Sequence, residues 1–150
     1  MTDSVEQVGS LWSRWRSGFR RLRQTADWAT FVGFDWVEPL MKAEVTDRFF
    51  AKQGRSIARW TLVAEGKQLV VYLKRHYELR RRDGWRALFF PRRAHSPGLQ
   101  EWEHLAWAAA QGIPVPRAVA AGELLQPSGR LQSFIAVEEL AEMLPLHEAI

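Results

Sequence analysis

A lysine near the end of an apolar strand and a glutamate on the next helix are the residue types in this sequence best placed to do chemistry. "QLVVYLKRHY" (68–77) is a run of β-branched and aromatic residues that closes on Lys74, Arg75 and His76. Period-two alternation puts Val70, Tyr72 and Lys74 on one face and Leu69, Val71 and Leu73 on the other. An ammonium on such a strand needs a counter-charge or an anionic ligand, because burying an unpaired charge is costly. The segment "SPGLQEWEHLAWAAAQG" (96–112) offers two carboxylates. Glu101 lies one turn before Leu105, at the edge of the apolar stripe, and can point back at the sheet. Glu103 competes for the same role. By itself, a lysine ending a strand also reads as a solvated edge residue that guards against aggregation.

Other chemistries find little support. The chain has no cysteine, which excludes disulfides, thiol catalysis and cysteine-ligated zinc. His76, His95, His104 and His147 show no metal-ligand spacing. No paired-carboxylate or nucleophile–histidine arrangement can be inferred. With 150 residues, 47% of them apolar, the chain suits one domain with or without a terminal extension. The formal charge of +4 and the pI near 10 favour anionic partners. Nucleic acid is not expected, since only charge with interleaved aromatics speaks for it. No apolar leader and no run approaching eighteen apolar residues is present, so the chain is expected to be soluble or peripheral.

The elements that must position Lys74 and Glu101 read as follows. "AEVTDRFF" (43–50) alternates like a strand, "AKQG" (51–54) is turn-like, and "RSIARWTLV" (55–63) is a second strand. "EGK" (65–67) turns into the strand that carries Lys74, which completes an antiparallel meander. Residues 80–98 read as a basic, aromatic loop, either a guide for an anionic substrate or a solvated charge run. Ser96 as N-cap, Pro97 at the first helical position and Gly112 at the stop punctuate a helix. "RAVAAGEL" (117–124) and "LQSFIAVEEL" (131–140) are strands around the turn "QPSG" (126–129), and "PLHEAI" (145–150) starts a helix. Ahead of all this, "SLWSRWRSGFRRLRQ" (10–24) spaces Leu11, Trp15, Phe19 and Leu22 as an amphipathic helix among arginines. Such a helix either docks on its own domain or lies at a membrane interface. Residues 27–42 give no clear element.

Strand, strand, strand, helix, strand, strand, with a lysine on the third strand and a glutamate on the helix, resembles the N-terminal lobe of the protein-kinase-like fold. More narrowly, "GRSIARWTL", "VVYLKRH", "EWEHLAWAAAQGIPVPRAVAAGE" and "SFIAVEEL" together look like the lipopolysaccharide kinase family of Kdo kinase and WaaP-like heptose kinase type. The resemblance spans roughly residues 43–148 and rests on the order and spacing of these segments. It implies an α+β fold: a five-stranded antiparallel sheet with one packed helix, plus the N-terminal amphipathic helix. Residues 1–42 would be a basic extension and 43–150 the lobe.

The family carries over onto named positions. Lys74 would bind phosphates, with Glu101 as its partner. "VEEL" (137–140) would be the hinge, with Val137 as gatekeeper and backbone groups of Glu138 and Leu140 on the adenine edge. "AKQGRS" (51–56) would cover the phosphates, Gly54 being its one glycine and Lys52 and Arg55 adding side-chain charge. Tyr72 stands where protein kinases keep a small residue against the adenine. ATP and Mg²⁺ are the implied cofactors and a sugar hydroxyl of the lipopolysaccharide inner core the implied acceptor. The implied location is the cytoplasm, peripheral on the inner face of its membrane, with contact through residues 10–24.

One part of the family pattern is missing. Phosphoryl transfer needs an aspartate at the attacking hydroxyl and further groups on the metal. All five aspartates (Asp3, Asp27, Asp35, Asp47, Asp83) precede the helix, and there is no asparagine. The chain is therefore expected to lack the catalytic lobe and to be inactive alone. A non-catalytic basic module that binds an anionic partner or a membrane surface is the alternative.

Overall fold

The computed structural model describes residues 2–5, 9–43, 48–52 and 54–140, with side chains for 9–43 and 54–140. In chain order its elements are β1 (Thr2–Val5), α1 (Leu11–Ser17), β2 (Phe19–Gln24), α2 (Trp28–Val32) and α3 (Val37–Lys42). They continue with β3 (Arg48–Lys52), β4 (Arg55–Ala64), β5 (Lys67–His76), α4 (Arg81–Phe89), α5 (Pro97–Ala110), β6 (Ala118–Gln126) and β7 (Arg130–Glu138). The helix start expected at 145–150 lies outside the described residues.

All the strands join one antiparallel sheet in the order β1-β2-β6-β7-β5-β4-β3. The five expected strands are β3 to β7, and β2 and β1 extend the sheet beyond β6. Alternation along β5 sorts the two faces. Leu69, Val71 and Leu73 are buried in a core with Trp28, Trp36, Val37, Leu40, Phe134 and Ala136. That face is covered by α2 and α3. Arg75 closes it: its guanidinium donates to the carbonyls of Leu40, at 3.0 Å, and Ala43, at 2.6 Å, at the end of α3. The opposite face carries α5, packed on Ala121, Ile135 and Val137 through Leu99 and Trp102. Beside it α4 and Trp15 of α1 cover Phe19, Leu125 and Leu131.

Three expectations change. The helix expected over 10–24 ends at Ser17, and Phe19–Gln24 is a strand paired with β6. Gly18 makes the break with φ 71, and any Cβ there would collide with the backbone of Leu125. After it, period two replaces period 3.6: Phe19 and Arg21 are buried and Arg20 between them less so. Residues 1–42 were expected as an extension. Instead, residues 19–24 add a strand beside β6, towards one edge of the sheet, and Trp28, Trp36, Val37 and Leu40 join the core. The loop expected at 80–98 contains α4, whose Gly84, Ala87 and Leu88 are buried. Gly84 looked like a loop residue, but a side chain there would meet the backbone of Gly129. Finally, the turn expected over 51–54 is shorter, because β3 runs through Lys52.

Candidate functional site

Lys74 sits on β5 opposite Ile57 of β4 and Ile135 of β7, on the face that carries α5. Its Nζ donates to Glu101 Oε1 at 2.6 Å. Helix α5 explains why Glu101 answers rather than Glu103: Leu99 and Trp102 are buried against the sheet, Glu101 is half-buried beside them, and Glu103 is exposed. The side chains of the pair are 37% and 35% exposed, so the ammonium is neutralised yet reachable from solvent. Glu101 accepts from one of its three N–H groups, and an ammonium carries two further donors.

The N-terminus of α5 is fixed by a residue that sequence reasoning passed over. Glu123 of β6 is 1% exposed. Its Oε2 accepts from the amides of His95, at 2.9 Å, and Ser96, at 3.2 Å, and from Ser96 Oγ at 3.0 Å. Ser96 precedes the helix as expected, but its hydroxyl donates to this carboxylate instead of capping. Opposite Glu123 in the β2–β6 register is Arg21, itself buried. Burial lowers the Arg21 pKa and the Glu123 carboxylate opposes that shift. A glutamate inside the buried strand "AVAAGELL" was the available signal.

A second cluster lies between Lys74 and the end of β7. Arg59 Nε and Nη2 donate to Glu139 Oε1 and Oε2, each at 2.8 Å, and the Tyr72 hydroxyl donates to Glu139 Oε1 at 3.1 Å. Glu139 also donates its amide to the Val70 carbonyl at 2.9 Å, so the segment after β7 is tied to β5 and, through Arg59, to β4. The Arg59 guanidinium holds the Glu139 carboxyl below its ordinary 4.5, and Tyr72 adds to the effect. Partial burial, followed by the Glu139 carboxylate, pushes the Tyr72 phenol upward. A carboxyl whose folded pKa is depressed contributes stability above its unfolded pKa and loses it as pH falls through the folded value. The urea midpoint should therefore fall as pH drops from about 5 towards 3, and Arg59→Met should flatten part of that fall. Parallel curves for the two proteins would remove the pair as its source. Beyond Lys74, His76 is held below its ordinary 6.5, first by burial and then by the charge of Arg55.

The remaining expected positions are spread along the same sheet. Gly54, in the β3–β4 turn, has φ 71, and its carbonyl accepts from the Tyr77 amide at 2.7 Å. Arg55 is exposed at the start of β4. Lys52 lies in β3 with its side chain outside the described residues. Val137 is buried against α5. The Glu138 amide donates to the Arg117 carbonyl at 2.8 Å, its carboxylate meets Arg117 at 3.1 Å, and Leu140 is exposed. The structure thus joins Lys74 to Glu101 directly, and keeps Gly54 and Arg55 at one end of the hairpin and 137–140 at the end of β7. Among the described residues no three His, Asp or Glu side chains gather as a metal site.

No family model matches the chain, and no curated protein does. Among solved structures the chain is similar to WaaP in complex with acyl carrier protein, with a TM-score of 0.58 and 23% identity. The match covers 86% of this chain and 44% of that one, so the chain spans less than half the length of its neighbour. At that identity the likeness speaks for fold, and the fold is that of a kinase-like N-terminal lobe.

Proposed function

We propose that the chain is the nucleotide-binding lobe of a lipopolysaccharide-kinase-like phosphotransferase, which moves a phosphate from ATP to a sugar hydroxyl of the inner core. The observation that carries this reading is the 2.6 Å Lys74–Glu101 pair inside a kinase-like lobe. Lys74 would meet the phosphate oxygens, and Glu101 would keep its ammonium charged and aimed. Gly54 and Arg55, with Lys52, would border the phosphates from the β3–β4 turn. Val137 would stand at the adenine pocket, with the Glu138 carbonyl and the Leu140 amide on the adenine edge, since the Glu138 amide is already committed to Arg117. When bound, ATP supplies the phosphoryl group, and magnesium would be held by its phosphates together with groups beyond those described here. The catalytic aspartate has no candidate after α5 in this sequence, so the lobe is proposed to be inactive by itself. With such an acceptor the lobe would work at the inner face of the cytoplasmic membrane; among the described residues no helix is long and apolar enough to cross one.

A second reading, a non-catalytic module for an anionic partner, draws on the Tyr72–Arg59–Glu139 cluster, which fills the face between Lys74 and the hinge. Thermal unfolding with and without Mg-ATP separates the two. The wild type should gain melting temperature, and Lys74→Ala should bind about tenfold more weakly, as expected for one charge-assisted contact. An unshifted wild type favours the module. A shift of equal size in Lys74→Ala places the nucleotide elsewhere.

A further inference from the structure

The helix stripe expected at residues 10–24 does not exist as such. Phe19 is buried in a strand, Leu22 packs on the core, and Trp15 turns inward against α4. A different surface takes its place. Trp15 meets the Trp85 ring at 5.7 Å, and Trp85 stacks on Phe89 at 5.9 Å. Arg14 fastens the two helices, its Nε donating to the Leu88 carbonyl at 2.9 Å. On the outside of this unit Trp12 is 69% exposed, Phe90 63%, Phe89 49%, Trp85 48% and Leu11 43%. Around them Arg16, Arg81, Arg82, Arg86, Arg92 and Arg93 are exposed, while the acid on α4, Asp83, is half-buried and lies 3.8 Å from Arg82.

We infer that α1, α4 and the following residues through Arg93 form a docking surface for the headgroup layer of an anionic bilayer. Tryptophan and phenylalanine partition to the boundary of headgroup and acyl chain, and arginine forks pair with lipid phosphates. The exposed residues of the two helices include no acid to meet arginines of a second copy. The surface abuts Gly129 and Leu131 at the start of β7. The inference stands apart from the nucleotide reading, and its test uses no nucleotide.

The test is co-sedimentation of the full 150-residue chain with phosphatidylcholine vesicles, with and without about a third of phosphatidylglycerol, a composition that supplies the anionic surface potential. The wild type should bind the anionic vesicles well above the neutral ones and be released by salt. Trp12→Ser with Phe90→Ser removes outward side chains, and circular dichroism checks that the fold persists. This pair should weaken binding at least about tenfold, in line with loss of interfacial apolar contact. Arg82→Gln with Arg86→Gln should weaken it by roughly 25-fold, about fivefold per arginine. A wild type that stays in the supernatant, or folded variants that sediment like it, would overturn the inference. So would a dimer in sedimentation velocity that Trp12→Ser with Phe90→Ser dissolves, since the patch would then belong to a second copy.

Discussion

Glu123→Ala is expected to lower the unfolding free energy by about 4 kcal/mol, in the range for removing one partner from a buried charged pair. The reasoning runs through what is left behind. Two amides and a hydroxyl at the start of α5 lose their acceptor, and each buried donor without a partner costs about 1–3 kcal/mol. Arg21 stays buried opposite a site that no longer carries a negative charge. Against these losses stands only the desolvation of the carboxylate itself, which the native state already bears. For a domain of this size the loss is roughly 10 °C in melting temperature. Glu123→Gln keeps an oxygen for the same donors and should recover about half of the loss, the hydrogen-bonded share. Urea denaturation of the three proteins measures this. Hydrogen exchange at Gly98–Trp102 should rise in Glu123→Ala before global unfolding, since Glu101 lies in the stretch that this carboxylate holds. A Glu123→Ala protein within about 1 kcal/mol of wild type, the scale of an ordinary surface hydrogen bond, would show that α5 is held by its apolar contacts alone.

What the sequence disclosed, and what it hid, follows from the length of each signal. The β4–β5 hairpin was legible because two long strands meet at a turn where Glu65 and Gly66 both have positive φ. Helix α5 was legible from Ser96, Pro97 and fourteen residues of steady periodicity. Helices α2 and α3, at five and six residues, are too short to show a period. Their places are set by Trp28 and Trp36, whose rings meet at 5.5 Å deep in the core. At β2 the spacing of Leu11, Trp15, Phe19 and Leu22 imitated a helix, and pairing with β6 overrode it. In the site, Lys74 and Glu101 could be found because each stands out against its own element. Arg59 and Glu139 could not be paired, since the contact joins residues eighty positions apart through a sheet register that no local pattern encodes. Glu123 was hidden for a related reason: its partners lie on a loop and helix start 27 residues earlier.

Gly98→Val should be comparably damaging, through geometry instead of charge. Gly98 is the second residue of α5 and lies against β7. A Cβ there would come within 2.9 Å of the Phe134 carbonyl carbon and closer still to its oxygen. Those atoms belong to a central strand paired on both sides with β5 and β6, so they cannot withdraw as a flexible side chain would. Helix propensity works the other way: alanine in place of glycine favours a helix by up to about 1 kcal/mol. Overpacking of a fixed core typically costs about 1–3 kcal/mol, so even Gly98→Ala should come out destabilised, and the branched valine more so, by about 3 kcal/mol. The helix can escape the clash only by lifting its first turn from the sheet. That movement would also stretch the Gly98 amide contact to Ser133 Oγ, already 3.4 Å long, and carry Glu101 away from Lys74. Gln100→Ala, exposed on the same helix, should stay within about 0.5 kcal/mol of wild type, as a surface change does. Thermal and urea unfolding of the three variants decide the matter, and a Gly98→Ala protein more stable than wild type would mean that propensity outweighs the contact. If the clash wins, the close approach of α5 to β7 is what sets the 2.6 Å reach between the two charged groups.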